Sequence, residues 1–292
     1  MNQTATLLLD SKCQLGEGPL WHPGRQQLFF FDINEQTLFA VTAKGDIAES
    51  WLFNEYIAAA AILDDHTLVL ATDTGLKQFD LDTGGMNRIN EVEADNAKTR
   101  TNDSRVHPSG AFWFSTMINS EDEAPIGSLY HYRAGVLTTL KSGVKISNAT
   151  CFSPDGKKAY WTDTPTKQIM QVETDPATGL PTGEWTVFAD VSEGRGYPDG
   201  AVVDSEGYLW NAKWGGSCVV RHAPDGSIDR IIEVPVSQVT CPAFGGPDFK
   251  TLYITTAAKN LTDIQLESEQ HAGGLFSIDL DIAGQPETPI TL

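Results

Sequence analysis

The chain has 292 residues, of which 40% are hydrophobic and 20% are charged, with 26 glycines and 15 prolines. Such a composition is typical of a turn-rich globular protein and not of a disordered one. A formal net charge of −19 at pH 7 repels phosphate backbones and anionic membranes, so neither nucleic-acid nor membrane partners are expected. The first residues lack the basic and apolar regions of a signal peptide and no stretch is long enough to cross a bilayer, which predicts a cytoplasmic protein.

In chain order, one short unit recurs six times: a tight turn rich in Pro, Asp, Ser and Gly, followed by an aliphatic or aromatic run. The runs are Leu28–Phe31, Leu68–Ala71, Ala111–Phe114, Ala159–Thr162, Tyr208–Asn211 and Leu252–Thr255. The units lie roughly 40 to 50 residues apart, the spacing expected of repeats of one supersecondary unit. Apolar stretches between turns, with no sustained helical period, indicate strands. The sequence therefore predicts an all-β six-bladed β-propeller, formed by residues 1–292 as a single domain.

One position has the same register in every unit, six residues before the second residue of the turn. These positions are Glu17, Ala59, Asn102, Asn148, Asp199 and Cys241. Because the first strand of each propeller blade lines the central channel, equivalent residues converge on its axis. Two carboxylates with amide oxygens suit a divalent cation, which would also relieve the repulsion between the two acids. The alternative interpretation is that the carboxylate and amide side chains among them only cap the ends of strands by hydrogen bonds.

Five motifs then follow one another along the chain. They are Gly16-Glu17-Gly18-Pro19, Arg100-Thr101-Asn102-Asp103, Ile146-Ser147-Asn148, Pro198-Asp199-Gly200 and Phe244-Gly245-Gly246. In this order they resemble the signatures of the SMP-30/gluconolactonase (regucalcin-like) family. The resemblance implies a propeller with one divalent metal ion on its central axis, held by Glu17, Asn148 and Asp199. It also implies that Arg100 and Asn102 contact the substrate, although a purely salt-bridging role for Arg100 is the alternative.

Two further side chains are candidate substrate contacts. Regucalcin has a sugar-contacting Glu soon after a Thr-Met dipeptide, and here Ser120 takes the aligned position in a loop of different length, with Glu121 beside it. Glu121 is therefore the candidate for that contact. Trp214, which precedes two glycines and lies outside the repeat pattern, is expected to line the mouth of the channel.

Other aromatic residues have structural interpretations. Trp113, Trp161 and Trp210 share repeat positions, which favours packing within the blades over sugar binding. His22 and His107 lie in repeat turns and are expected at the surface.

The resemblance implies metal-dependent hydrolysis of an aldonolactone to the aldonic acid in sugar oxidation. The patterns Tyr197-Pro198-Asp199-Gly200 and Leu209–Gly216 look most like those of bacterial pentono- and hexonolactonases. Asp199 is the candidate general base, because a ligating carboxylate with a free oxygen can accept the proton of the attacking water. The alternative is a non-catalytic propeller that binds calcium or another divalent metal.

The family resemblance leaves the identity of the metal open among Ca, Zn, Mn, Mg and Fe(II). The expected partner is a small-molecule sugar lactone, such as xylono-, arabinono-, galactono- or gluconolactone. The protein itself is expected to be a monomer or a weak homo-oligomer.

Overall fold

The computed structural model describes residues 3–119 and 124–292 of the chain. Its strands form six sheets around one ring, with four antiparallel strands in each and a short fifth strand added to one of them. The predicted six-bladed β-propeller is thereby confirmed.

The strands are grouped by blade as follows. Two short strands come first in the chain and join the last two blades: β1 (Gln3–Thr4) and β2 (Thr6–Leu9). Blade 1 comprises β3 (Gly16–His22), β4 (Gln27–Asp32), β5 (Thr37–Thr42) and β6 (Ile47–Leu52). Blade 2 comprises β7 (Ile57–Asp64), β8 (Thr67–Thr72), β9 (Gly75–Asp80) and β10 (Met86–Glu91). Blade 3 comprises β11 (Thr99–Val106), β12 (Phe112–Ile118), β13 (Gly127–Arg133) and β14 (Val136–Val144).

The second half of the ring repeats the same order. Blade 4 comprises β15 (Ser147–Phe152), β16 (Lys158–Asp163), β17 (Gln168–Glu173) and β18 (Thr186–Asp190). Blade 5 comprises β19 (Tyr197–Val203), β20 (Leu209–Trp214), β21 (Cys218–His222), β22 (Ile228–Glu233) and β1. Blade 6 comprises β23 (Val239–Gly245), β24 (Thr251–Thr256), β25 (Leu275–Asp279) and β2. Two short helices lie in connections: a 3₁₀ turn (Thr164–Thr166) and α1 (Asp263–Ser268).

The first strands of the blades, β3, β7, β11, β15, β19 and β23, form the inner ring. Each contacts the first strands of both neighbouring blades, and β23 contacts β3 to complete the circle. Both β15 and β23 are buried along their whole length. Side chains at the starts of these strands therefore meet at one end of a shared central channel.

Apolar side chains hold the blades together. In the described part of the chain the core divides into six clusters, one at each interface between neighbouring blades. Trp113 and Trp161 lie in the cluster between blades 3 and 4, and Trp210 lies between blades 5 and 6, as expected of packing residues. Full burial of one large apolar side chain stabilises the fold by about 1.5–3 kcal/mol.

The expected surface position of His22 and His107 is wrong. Their exposed fractions are 1% and 0%, and burial lowers the pKa of both imidazoles. His22 Nε2 lies 3.1 Å from Asp64 O in blade 2, and His107 Nε2 lies 2.9 Å from Gly156 O in blade 4. These two repeat turns each contact a turn of the next blade, so the two imidazoles link blades instead of facing water.

The two ends of the chain close the ring. Strand β2 is the outer strand of blade 6 and pairs antiparallel with β25, with Thr6 opposite Ser277 and Leu7 opposite Phe276. This confirms the interpretation of the N-terminal apolar run as the strand that closes the propeller. The pairing covers the edge of β25, whose unpaired backbone groups would otherwise invite association with other chains.

The C-terminal segment, residues 280–292, crosses the face at which the inner strands end. Gly284 N donates to Phe249 O of blade 6 at 2.8 Å, and Ile290 N donates to Ile62 O of blade 2 at 2.8 Å. Between them, Glu287 lies among residues of β3, β7, β11 and β23 and accepts a 2.6 Å hydrogen bond from Arg105 Nη1. The segment therefore covers the far end of the channel.

Across the described ranges, no helix has the length and apolar character needed to span a membrane.

Deleting residues 1–9 tests ring closure. Three partly buried leucines are lost with β2, at about 1 kcal/mol each, so the melting temperature should fall by roughly 5 °C. Differential scanning calorimetry measures the change, with Gln3→Ala, at an exposed position outside β2, as the control. Equal melting temperatures for the truncated and full-length proteins would contradict the role of β2.

Glu287→Ala tests the closure of the far end. The substitution leaves the largely buried Arg105 guanidinium without its carboxylate, which costs about 3–5 kcal/mol of unfolding free energy. Urea denaturation measures the loss against Glu267→Ala, an exposed position in α1. Indistinguishable unfolding curves for the two variants would show that the buried ion pair does not stabilise the channel.

Candidate functional site

An irregularity shared by all six inner strands positions the site. Each inner strand shifts register against the second strand of its blade, which is the mark of a β-bulge. The shifts lie between Glu17 and Leu20, Ile57 and Ala59, Thr101 and Ser104, Asn148 and Cys151, Pro198 and Ala201, and Val239 and Cys241. The positions that share a register in the sequence therefore lie at or beside the bulges of the inner ring.

Two of these positions place carboxylates inside the protein. Glu17 and Asp199 are exposed by only 7% and 6%. Burial raises the pKa of both carboxyl groups, and the negative charge of Asp103 raises both further. The Arg100 guanidinium is the cation that opposes these effects on both groups. Ionised together, Glu17 and Asp199 repel each other in a poorly solvated cavity, so a further cation would stabilise them.

Close contacts with neighbouring inner strands fix the two bulges that carry the carboxylates. Gly18 has φ +56°, and a Cβ at this position would lie 2.4 Å from Ala58 O of the next inner strand. A Cβ on Gly200 would lie 2.4 Å from Cys241 Sγ. Only glycine fits these approaches, which is the physical reason for a glycine directly after each acid.

The backbone at Asp199 is held by a polar chain from the second strand of its blade. Asn211 Nδ2 donates to Asp199 O at 2.8 Å and lies 3.2 Å from Gly200 O. Lys213 Nζ donates in turn to Asn211 Oδ1 at 2.6 Å, and burial lowers the pKa of Lys213 to about 8. Asn211 and Lys213 thus hold the backbone of Asp199 from the second strand of the blade. Neither side chain lines the cavity described below.

A second polar chain orients Asn148. Its Nδ2 donates to Thr164 Oγ1 at 2.9 Å, and Thr164 Oγ1 donates to Pro198 O at 2.9 Å. Asn148 Oδ1 accepts from Asn102 Nδ2 at 3.1 Å and keeps one lone pair free. The Asn148 amide is therefore held through its nitrogen, and its oxygen keeps a lone pair for a ligand.

Asn102 connects Asn148 to Arg100. Its Nδ2 also donates to Ser147 O at 2.8 Å, and its Oδ1 accepts from Arg100 Nη1 at 2.9 Å. Arg100 Nη1 donates as well to Thr101 O at 2.7 Å, while Nε and Nη2 make no hydrogen bond within the described residues. Arg100 therefore keeps donors for a ligand, whereas the Asn102 amide nitrogen is fully engaged.

These side chains line one cavity of about 230 Å³. Glu17, Arg100, Asn102, Asn148 and Asp199 all lie in its wall, and Trp214 closes one side as expected of a residue at the channel mouth. Glu121, the remaining candidate substrate contact, lies outside the described residues.

Sequence reasoning missed other wall residues, among them Lys259 and Asn260. Both lie in the connection between β24 and β25, residues 257–274, which is far longer than the other connections of its kind, such as residues 33–36 or 215–217. The length of this connection is the signal from which its contribution to the cavity could have been predicted. A long connection at this end of a blade can reach the channel mouth.

The cavity wall fits a hard divalent cation. Residues 3–119 and 124–292 contain no group of three or more His, Cys, Asp or Glu side chains suited to a metal, so a site here depends on the Asn148 amide oxygen. Glu17 and Asp199 would supply two oxygen ligands, and a divalent ion would neutralise the negative charge of the buried pair. Carboxylate and amide oxygens are the ligands that such cations prefer.

Comparison with known proteins identifies the family. The model of the SMP-30/Gluconolactonase/LRE-like region matches residues 15–258. L-arabinolactonase of Azospirillum brasilense is 37% identical, with 96% of this chain and 93% of that protein covered. A pentonolactonase of Haloferax volcanii is 32% identical, with 97% of each chain covered. The crystal structure of the calcium-binding protein regucalcin from Agrobacterium tumefaciens is 36% identical, covers 100% of this chain and 99% of its own, and superposes with a TM-score of 0.96. The chain belongs to the SMP-30/gluconolactonase/LRE-like family.

Proposed function

We propose that the protein is a sugar lactone hydrolase that converts an aldonolactone to the aldonic acid with the help of one divalent metal ion. The observation that carries the proposal is the shared cavity, in which a carboxylate pair and an amide oxygen lie beside an arginine with free donors. The similarity to an L-arabinolactonase and a pentonolactonase over nearly the whole chain supports the same reaction class.

Glu17, Asn148 and Asp199 would hold the metal. A bound divalent cation supplies Lewis-acid polarisation of a carbonyl and lowers the pKa of nearby water. Asp199 accepts the proton of the attacking water and returns it to the ring oxygen as the carbon–oxygen bond of the lactone breaks. Asn211, which accepts from Lys213, keeps the Asp199 backbone in place during this transfer.

Arg100 binds and orients the substrate. Its free Nε and Nη2 donors suit the hydroxyl and carbonyl oxygens of a polyhydroxylated lactone. Asn102 contributes mainly through Arg100 and Asn148, because both its amide hydrogens are engaged by protein. Trp214 supplies an apolar wall that limits the access of water to one side of the ring.

The second candidate function is binding of a divalent metal without catalysis. It is favoured by the description of the Agrobacterium relative as a calcium-binding protein. A simple metal binder has no need of an arginine that keeps free donors beside the carboxylates, which is why we prefer the enzyme. Release of acid from an aldonolactone in weak buffer separates the two functions, since only hydrolysis produces a proton.

Asp199→Asn separates a catalytic base from a mere ligand. The amide still offers an oxygen to a metal but accepts no proton, so kcat should fall by about 10²–10⁴-fold while part of the metal affinity remains. Glu17→Gln, by contrast, should be largely rescued by excess metal. Activity assays at rising Mn²⁺ concentration make the comparison, with Asp225→Asn in an exposed turn as the control. A near-normal kcat for Asp199→Asn would assign the base to another residue.

The pH dependence of stability tests the carboxylate pair. Because folding raises the pKa of Glu17 above its ordinary 4.5, the folded state holds its proton more tightly, and stability without metal falls as pH rises from 4.5. Metal binding neutralises the pair, so the gain in melting temperature on adding Mn²⁺ should grow between pH 5 and pH 8. The double variant Glu17→Gln with Asp199→Asn should lose this gain. A gain that is independent of pH would contradict the account.

A further inference from the structure

Lys259 is a second cation in the wall of the cavity, beside Arg100. It lies in the connection from β24 to β25, and its backbone is fixed on both sides. Lys259 N donates to Gln14 O at 2.9 Å, and Lys259 O accepts from Gln238 Nε2 at 2.8 Å. The side chain is half-buried and starts from a rigid anchor at the channel mouth.

The Lys259 ammonium has no carboxylate partner among the described residues. Within residues 3–119 and 124–292, no Asp or Glu oxygen lies within 4 Å of its Nζ, and its side chain makes no hydrogen bond. Burial lowers the pKa of Lys259, and repulsion by the Arg100 guanidinium lowers it further. By comparison, the partly buried Lys77 pairs with Glu55.

Partial loss of hydration disfavours the unpaired Lys259 ammonium, and repulsion by the neighbouring Arg100 guanidinium disfavours it further. A ligand carboxylate, phosphate or sulfonate would relieve both effects at once. Arg100 has Nε and Nη2 free for the same ligand, and Asn260 adds an amide at the neighbouring position of the wall. Hydrogen bonds between ionised partners are roughly twice as strong as those between neutral ones.

We propose that Arg100 and Lys259 form an anion-binding subsite of the cavity, which recognises a negatively charged group on the sugar ligand. The inference rests on the proposed lactonase function and narrows its substrate class. The anion has two possible sources: a charged substituent on the substrate lactone, or the carboxylate that hydrolysis creates in the product. Both place one anionic group against the same two side chains.

A pair of lactones that differ in one carboxylate tests the subsite. D-gluconolactone is neutral, whereas D-glucarolactone carries an additional carboxylate on the same carbon skeleton. The assays give kcat/KM for each lactone, and calorimetry gives Kd for the open-chain anions gluconate and glucarate. Wild type is compared with Lys259→Gln, Lys259→Arg and the control Lys44→Gln, at an exposed turn.

For a substituent on the substrate, Lys259→Gln should reduce kcat/KM for glucarolactone at least about tenfold more than for gluconolactone, because the variant loses a charge-assisted hydrogen bond to the added carboxylate. Lys259→Arg should restore most of the loss and Lys44→Gln should change nothing. For the product carboxylate, Lys259→Gln should instead raise Kd and the inhibition constant of gluconate with kcat/KM unchanged.

If Lys259→Gln changes kcat/KM equally for both lactones and leaves Kd unchanged for both anions, the subsite is overturned. The lactonase proposal would still stand. If wild type hydrolyses neither lactone, nor any other aldonolactone, with any divalent metal, the proposed function fails. The calorimetric comparison of Lys259→Gln with wild type then still decides whether the cavity binds anions at Lys259, because it needs no turnover.

Discussion

The burial of two carboxylates beside each other, Glu17 and Asp199, is the constraint on which the site depends. Their attraction to Arg100 offsets only part of the repulsion and the loss of hydration, so a further cation is needed for both to stay ionised. The ring brings these two acids together from distant parts of the sequence, because β3 and β19 belong to one closed circle of inner strands. An open array of the same repeats would leave them apart.

Closure of the ring and the bulges act together. The pairing of β2 with β25 joins the two ends of the chain, and the bulges then place the side chains of the inner strands at one end of the channel. Polar residues behind the inner ring hold this geometry, as Asn211 does for Asp199 and Thr164 does for Asn148. At the far end, Glu287 and Arg105 close the channel with an ion pair. The cavity is thereby left with access from one side.

Much of this could be predicted from the sequence, since the repeat spacing fixes the number of blades and the register fixes which residues face the axis. Glu17, Arg100, Asn102, Asn148, Asp199 and Trp214 all line the cavity, although the roles proposed for them stay predictions, as do the single domain, the cytoplasmic location and the oligomeric state. Local patterns did not reveal Lys259 or Glu287, because both reach the channel from irregular segments whose path depends on tertiary contacts. The burial of His22 and His107 was missed for a related reason: their partners belong to the neighbouring blade.

The most direct test of the central claim is an anomalous-scattering map of crystals soaked in Mn²⁺. The account predicts one strong peak on the channel axis, coordinated by oxygen atoms of Glu17, Asn148 and Asp199, and its loss in the double variant Glu17→Gln with Asp199→Asn. A map with no peak between these side chains, or with the ion held by other residues, would contradict the claim that the buried carboxylate pair is built to hold a cation.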